Sequence, residues 1–158
     1  MALEIEWRRS PNFTKKPNRP ITCIVLHATA TKGIESPLAW LCDPKSKVSC
    51  HYLVDLTGKV YKLVQEYDEA WHSGVSTWRG QDGVNLFSLG IEMVNPNDGK
   101  TPYPSQQVDA VKELCVDLMF RHGIHIDNVV CHYDIAPGRK NDPKGFNMET
   151  FKHSLEAA

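Results

Sequence analysis

Apolar residues concentrate in three short stretches of the chain, a pattern typical of strands buried at the centre of a sheet. The first, residues 21–29 (ITCIVLHAT), is rich in β-branched side chains and predicts a strand that ends near His27. Residues 86–94 (LFSLGIEMV) and 128–132 (NVVCH) predict two more strands, the last of which ends at His132. We therefore expect a sheet with a largely apolar centre.

Residues 50–64 (CHYLVDLTGKVYKLV) show a different pattern, in which two alternating runs flank a turn. Thr57 and Gly58 form this turn, since glycine adopts the backbone angles that tight connections need. The alternation predicts two antiparallel strands joined as a β-hairpin.

Three segments carry signals for helices. The longest begins at Ser105 and stops at Gly123. A short helix is predicted with Ser36 as its N-cap and Pro37 at its first position, and a last helix is predicted after an N-cap near Asn147. The apolar residues that recur at helical spacing in the longest helix are Val108, Val111, Cys115, Leu118 and Met119.

The mixture of strands, helices and one hairpin predicts an α/β fold: a single domain with a central mixed β-sheet and helices packed on its faces. A length of 158 residues suits one domain with a substantial core. Residues 1–19 are polar and contain Pro11 and Pro17, so we expect them to form an extended N-terminal arm. The domain itself should occupy residues 20–158.

Charge and hydropathy exclude some classes of partner. The chain has 18 basic and 19 acidic residues, so it lacks the broad positive surface that nucleic acids require. No apolar stretch approaches the roughly 18 residues of a membrane span, and the first residues lack the apolar run of a secretory signal. We therefore expect no membrane insertion and a cytoplasmic location in the cell that makes the protein. We also expect a monomer.

The cysteines do not favour a disulfide framework, because their number is odd and no two of them form a CxxC pair. A zinc site made of cysteines alone is not expected either. Most should be small buried apolar residues. They are Cys23, Cys42, Cys50, Cys115 and Cys131.

Two histidines stand at the C-terminal ends of predicted buried strands, His27 after the first and His132 after the last. Such strand ends meet at a crevice where ligands bind. The two histidines are too far apart in the chain for the HExxH motif of a helix, so a shared metal must be assembled by tertiary structure. The alternative for each is a purely structural hydrogen bond.

Residues 132–143 (HYDIAPGRKNDP) hold many ionisable side chains on a segment that we expect to lack regular structure. A catalytic zinc needs three protein ligands and one open position, and this segment adds the carboxylates of Asp134 and Asp142. Asp142 is the better candidate, because Pro137 and Gly138 let the chain turn back toward the strand end. The spacing leaves open whether either aspartate binds a metal or caps a turn.

The chain carries, in this order, the motifs IVLHAT, CHYLVDLTGKVYKLV, EAWHSG, FSLGIEMV and HYDIAPGRKNDP. Together they resemble the type 2 N-acetylmuramoyl-L-alanine amidases. That family includes cytosolic muropeptide-recycling amidases, phage endolysins and peptidoglycan recognition proteins. The resemblance covers about residues 20–150. It implies that His27, His132 and Asp142 hold one zinc ion, with water at the metal's remaining position.

The resemblance also implies an activity. The family hydrolyses the amide between the lactyl group of N-acetylmuramic acid and the L-alanine of the stem peptide, so the expected partner is peptidoglycan or a muropeptide. Glu92 matches the catalytic glutamate, which takes the proton of the water and delivers it to the departing amine. Lys140 matches the lysine that stabilises the oxyanion.

Both catalytic candidates have ordinary explanations as well. Glu92 could be a carboxylate at a sheet edge, but an acidic residue inside an apolar strand needs a partner or a site. Lys140 could be a solvated loop lysine, and only the resemblance favours catalysis for it.

Residues 69–81 (EAWHSGVSTWRGQ) combine aromatic and polar side chains around glycine, which suits stacking against sugar or peptide. The resemblance puts this segment at the substrate groove, with Trp71, His72, Trp78 and Arg79 as binding candidates. His51, in the hairpin strand, is a further candidate. Trp71 could instead belong to the core.

One position departs from the family pattern. Where many relatives have a tyrosine before the histidine of the hairpin strand, this chain has Cys50 before His51. A tyrosine-assisted route is therefore not expected, and more of the proton transfer falls on Glu92. Cys50 either faces the metal as an extra or inhibitory thiolate or is an inert buried thiol.

The biological setting stays open at this level. A compact domain without an evident wall-binding repeat suits a phage endolysin, which is the setting we expect, and also a cytosolic amidase that recycles anhydro-muropeptides. A non-catalytic peptidoglycan recognition module is a further alternative, although such members typically lack a zinc ligand and here all three positions are filled. A zinc peptidase of another specificity would not need the muramyl sugar.

Overall fold

The computed structural model describes residues 3–158. Its strands are β1 (Ile5–Trp7), β2 (Phe13–Thr14), β3 (Cys23–Ala28), β4 (Tyr52–Val54), β5 (Val60–Lys62), β6 (Glu69–Ala70), β7 (Thr77–Trp78), β8 (Gln81–Asp82), β9 (Ser88–Met93) and β10 (Val129–Cys131). Its α-helices are α1 (Glu35–Leu41), α2 (Ser105–His122), α3 (His132–Ile135) and α4 (Met148–Glu156). Short 3-10 helices span Val84–Leu86 and Ile126–Asn128.

The central sheet has six strands in the order β1-β5-β4-β9-β3-β10. The pair β4 and β5 is antiparallel, and the other neighbouring pairs are parallel. Helices α2 and α4 pack on one face of the sheet, and α1 and α3 pack on the other. The predicted α/β fold, a central mixed sheet with helices on its faces, is confirmed.

The elements with the strongest local signals appear where the sequence predicts them. The three apolar stretches form β3, β9 and β10, and the alternating segment forms the β4–β5 hairpin with Gly58 at φ 89° in its turn. Helix α2 ends at Gly123, which is left-handed as a C-cap requires. Asn147 caps α4 by accepting a hydrogen bond from the amide of Thr150.

The start of α1 differs from the prediction. The helix begins at Glu35, its N-cap is Ile34, and no side chain makes a capping hydrogen bond, so the predicted cap at Ser36 is wrong. Pro37 is therefore the third helical residue instead of the first. Proline is tolerated there because the first amides of a helix have no acceptor within it.

The described part of the N-terminal arm is extended, but it also forms strands that the sequence analysis did not predict. Strand β1 is the edge of the central sheet, with Ile5 opposite Val60 of β5. Strand β2 pairs with β6, with Phe13 opposite Ala70. Both strands are short and partly exposed, so they lack the apolar run that identifies a central strand.

The segment at residues 132–143 contains one helical turn, α3, which corrects the expectation that it lacks regular structure. Asp134 accepts a hydrogen bond from the amide of Cys131 at 2.9 Å and so caps this turn. Pro137 and Gly138 follow the turn and do not interrupt it. Of the two aspartates considered as metal ligands, Asp134 is thus committed to a helix cap.

All five cysteines are free thiols, and all except Cys42 are buried. Within residues 3–158, no helix is both long enough and apolar enough to cross a membrane.

A buried carboxylate ties the hairpin strand to the end of α2. Glu66 accepts hydrogen bonds from the Tyr52 hydroxyl, from both terminal nitrogens of Arg121 at 2.9 and 2.8 Å, and from His122 at 2.6 Å. Burial alone would raise the pKa of Glu66, but these hydrogen bonds, led by those from Arg121, outweigh it and lower the pKa to about 2.

Gly90 lies in β9 under the ring of His72. A Cβ atom on Gly90 would sit 2.5 Å from Cγ of that ring, closer than any packed atoms approach. The glycine therefore allows the segment that carries His72 to pack directly on the sheet.

We predict that Gly90→Ala lowers the free energy of unfolding by about 1–3 kcal/mol, because either the ring or the strand must move. Urea denaturation measures the change. Gly33→Ala is the matched control, since no atom lies within 4 Å of its Cβ position. Equal stability of the two variants would contradict the close contact between Gly90 and the ring of His72.

The Glu66 cluster predicts how stability depends on pH. The pKa of Glu66 is lowered from its usual 4.5 to about 2, so between these values the unfolded chain binds the proton more tightly. The contribution of Glu66 is thus complete above pH 4.5 and is lost as the pH falls toward 2. Glu66→Gln should unfold more easily at pH 7 and lose less stability on acidification.

Denaturation curves between pH 7 and about 3 test this dependence. Glu149→Gln removes an exposed carboxylate from α4 and is the control, which should keep the slope of the unaltered protein. A Glu66→Gln variant with the same slope would refute the assignment.

Candidate active site

Three strands place the candidate residues at one edge of the sheet. His27 in β3 lies opposite Glu92 in β9, and because the strands are parallel and in register, both side chains leave the same face. His132 directly follows β10, the other neighbour of β3. Asp142 arrives from the loop after α3, where its carbonyl accepts a hydrogen bond from the Tyr133 amide at 3.2 Å.

Two imidazoles and one carboxylate converge in this corner. Nδ1 of His27 lies 3.0 Å from Nδ1 of His132. The carboxylate of Asp142 lies 3.1 Å from the His132 nitrogen and 3.5 Å from the His27 nitrogen. Burial would raise the pKa of Asp142, but the contacts of its carboxylate with the imidazoles of His132 and His27 outweigh burial and hold the pKa well below its usual range. The carboxylate is therefore charged.

The outer nitrogens of both rings face acceptors within the protein. Nε2 of His132 lies 3.1 Å from the carbonyl of Ser73, and since a carbonyl only accepts, this nitrogen carries a proton and Nδ1 is the nitrogen that faces the cluster. Nε2 of His27 lies 2.9 Å from Nδ1 of His72. Burial lowers the pKa of His27 to about 4, so its ring is neutral near pH 7. Neutral rings are the form that binds metals.

The spacing and chemistry of these groups fit a zinc ion. Zinc binds histidine nitrogen and carboxylate oxygen at roughly 2.0–2.2 Å, which puts the ligand atoms of a tetrahedral site about 3.3 Å apart. The atoms of His27, His132 and Asp142 have separations of this size, and all lie within 4.8 Å of one another. The three side chains can thus hold a metal ion.

Glu92 lies beside this cluster. One carboxylate oxygen is 4.0 Å from Nδ1 of His27, and the other is buried with no hydrogen-bond partner in the described part of the chain. Burial, and then the negative charge of Asp142, raise the pKa of Glu92 to about 8. A buried carboxylate without a partner is costly, and such groups are typical of functional sites.

The cluster opens into a cavity of about 1000 Å³. The end of β3, helix α1 and the loop at residues 138–142 form its walls. Lys140 lines the cavity, and its positive charge opposes the rise in the pKa of Glu92. A cavity of this size accommodates a ligand as large as a small peptide or a sugar.

Other lining residues were missed by the sequence analysis. Trp40 on α1 is 57% exposed and forms part of the wall. The sequence signal that could have identified Trp40 is the presence of a large aromatic residue in a short predicted helix. Thr29, Thr31 and Asn97 also line the cavity, but loop residues of these types carry no signal that distinguishes them.

The matching family model is described as N-acetylmuramoyl-L-alanine amidase and covers residues 17–145. The chain belongs to this amidase family. The matched range contains the three clustered side chains as well as Glu92 and Lys140.

Two relatives show how much of the chain is shared with this family. The N-acetylmuramoyl-L-alanine amidase AmiD of Escherichia coli is 40% identical over 137 residues, which cover 78% of this chain and 49% of AmiD. The 1,6-anhydro-N-acetylmuramyl-L-alanine amidase AmpD of Haemophilus influenzae is 30% identical over 168 residues, which cover 94% of this chain and 90% of AmpD. The chain thus spans about half the length of AmiD and nearly all of AmpD.

Solved structures of amidases share the fold. A crystal structure of an AmpD derivative superposes with a TM-score of 0.86 at 26% identity, covering 98% of this chain and 99% of that one. Escherichia coli AmiD, in complex with the substrate anhydro-N-acetylmuramic acid-L-Ala-D-gamma-Glu-L-Lys, has a TM-score of 0.79 at 34% identity. That match covers 94% of this chain and 61% of AmiD.

The substrate-binding candidates of the amidase separate into two groups. Trp71 and His72 line the cavity, whereas Trp78 and Arg79 do not. The reason is that residues 77–82 form their own β7–β8 hairpin, with Arg79 at φ 49° in the turn. Trp78 packs on a buried cluster and donates a hydrogen bond to Asn128 at 3.1 Å. Trp78 and Arg79 thus lie outside this cavity, and a substrate contact by either of them stays a prediction.

His51 is fully buried and does not reach the cavity, which corrects its predicted substrate contact. Its Nδ1 accepts a hydrogen bond from the amide of Gly90 at 3.0 Å, and its Nε2 lies 2.9 Å from the carbonyl of Asp68. The ring thus pairs with a backbone amide and a backbone carbonyl inside the protein, as another stretch of backbone would.

Cys50 is also fully buried, and its thiol lies 3.3 Å from the carbonyl of Tyr52. Burial raises the pKa of Cys50 well above its usual value, so the thiol stays protonated. It does not line the cavity, and the structure therefore favours the inert buried thiol over a thiolate that faces a metal.

Proposed function

We propose that the chain is a zinc-dependent amidase that hydrolyses the bond between the lactyl group of N-acetylmuramic acid and L-alanine. The observation that carries the proposal is the convergence of three ligand atoms beside a buried carboxylate without a partner. His27, His132 and Asp142 would hold the ion. Glu92 would act as the base.

A zinc ion held by these residues would lower the pKa of a water molecule and polarise the carbonyl of the substrate. Glu92 has an oxygen free to accept a proton from water, and it can deliver that proton to the departing amine nitrogen. Its pKa of about 8 is near the working pH, where a group can both take and give a proton.

Lys140 supplies the positive charge that the reaction needs close to the carbonyl oxygen of the substrate. It lines the cavity on the same loop as Asp142 and acts electrostatically on both Glu92 and His27. A fixed positive charge stabilises an oxygen that becomes negative in the transition state. Trp71 and Trp40 offer aromatic surfaces for the sugar or peptide on the cavity walls.

The substrate we propose is a soluble anhydro-muropeptide. The match to AmpD of Haemophilus influenzae, named as a 1,6-anhydro-N-acetylmuramyl-L-alanine amidase, extends over nearly the whole of both chains. The structure of AmiD in complex with an anhydro-muropeptide supports the same class of substrate. The sequence analysis favoured an endolysin that acts on the intact wall, and we keep that setting as the alternative.

We predict that Asp142→Ala loses both the metal and turnover, since two histidines alone leave the ion one ligand short. Glu92→Gln should keep the metal but slow hydrolysis by about 100-fold or more, because the amide cannot take a proton. Metal content by mass spectrometry and release of the free peptide from a muropeptide measure the two effects.

The two variants together distinguish the role of Asp142 in metal binding from the role of Glu92 in proton transfer. Glu149→Gln alters an exposed residue of α4 outside the cavity and should match the unaltered protein in metal content and rate. Full activity of Glu92→Gln would remove the assigned base. Bound zinc without any turnover of the unaltered protein would instead indicate a recognition module.

The substrate prediction is tested by a comparison of anhydro-muropeptides with purified peptidoglycan. We expect kcat/KM to be higher on the soluble anhydro-muropeptide, with the free stem peptide as product. Faster release of peptide from the intact wall would favour an endolysin. Cleavage within a stem peptide that lacks the muramyl sugar would indicate a zinc peptidase.

A further inference from the structure

We propose that residues 72–73 form a single positioning element that holds both imidazole ligands of the metal in the binding tautomer. This inference rests on the proposed function. One residue acts through its side chain and the next through its carbonyl, so a short piece of chain fixes the two rings together.

His72 serves His27. Its Nδ1 lies 2.9 Å from Nε2 of His27 and 3.2 Å from the Ser73 hydroxyl, and its Nε2 lies 3.0 Å from the Ser88 hydroxyl. When Nδ1 of His27 presents its lone pair to a metal, its Nε2 carries the proton and donates to His72. The proton of His72 is then on Nε2 and points to Ser88.

Ser73 serves His132. Its carbonyl accepts from Nε2 of His132 at 3.1 Å and from the guanidinium of Arg139 at 2.7 Å. Arg139 also donates to the carbonyl of Val75 at 2.8 Å, and so connects this segment to the loop that carries Asp142. Hydrogen bonds of this kind orient a metal-binding histidine and fix its tautomer.

The element is itself fixed on two sides. The side-chain oxygen of Asn85 accepts from the amides of His72 and Ser73 at 3.2 and 2.8 Å. Below it, Gly90 leaves room for the His72 ring to lie directly on the sheet. Both nitrogens of that ring are engaged by protein groups, so His72 has none to offer a substrate even though it borders the cavity.

The test measures zinc affinity of the whole chain by competition with a chromophoric chelator. His72→Leu removes the acceptor and should weaken zinc binding by about 10–100-fold, the usual loss for such a partner. His72→Asn puts an amide oxygen near the position of Nδ1 and should recover most of the affinity. His153→Asn makes the same change at an exposed position of α4 and should alter nothing.

A second pair of variants leaves the ring intact. Asn85→Ala frees the amides of His72 and Ser73 and should also weaken zinc binding, whereas Asn85→Asp keeps the acceptor and should retain it. This pair decides the question if His72→Leu does not fold, which thermal unfolding of the metal-free chain reveals.

The outcomes distinguish this inference from the proposed function. An unaltered chain that binds no zinc would overturn both. Tight binding by the unaltered chain that neither His72→Leu nor Asn85→Ala changes would overturn the positioning element alone. Weak binding by His72→Asn, equal to that of His72→Leu, would also count against it, since the acceptor would then not matter.

Discussion

The candidate site depends on one physical constraint: two imidazoles and a carboxylate must be held with their facing atoms within about 3.5 Å of one another in the interior of the protein. Such groups repel or compete for protons unless a cation lies between them. The fold must therefore hold the three groups together in spite of this repulsion. In this protein that requirement explains the close packing around His27 and His132 and the hydrogen bonds behind each ring.

The sheet holds the side chains that lie on or next to its strands. Parallel strands in register put His27 and Glu92 side by side, and β10 brings His132 to the same edge. The side chain of Asp142 is fixed differently, since one of its oxygens accepts a hydrogen bond from the amide of Ala28 at 3.3 Å. His27 and Glu92 thus owe their position to the strands that carry them, whereas Asp142 depends on the Ala28 amide, on the two histidines and on the loop that carries it.

The sequence predicted the parts of the fold that carry their own local signal, such as β3, the hairpin and α2. It missed β1 and β2, because both strands are partly exposed and lack the apolar run or the turn signal that identifies β10 and the hairpin. The sequence predicted the candidate site as a set of residues with roles, but not the atoms that each histidine nitrogen meets. His27, His51, His72 and His132 are all buried, and they differ only in the atoms that their nitrogens meet.

That difference cannot be recovered from spacing, because it is set by residues distant in the chain. His51 is a clear case: its Nδ1 accepts a hydrogen bond from the amide of Gly90, and its Nε2 lies 3.2 Å from the guanidinium of Arg19, which comes from the N-terminal arm and also donates to the carbonyls of Ser88 and Glu66. The arm also reaches the cavity wall, where a threonine of β2 accepts from the indole of a lining tryptophan. Removal of residues 3–19 would leave the carbonyls of Ser88 and Glu66 without this donor and the lining tryptophan without its acceptor. The hydrogen bonds of the arm therefore help to stabilise the cavity wall, although the sequence of the arm is typical of a simple extension.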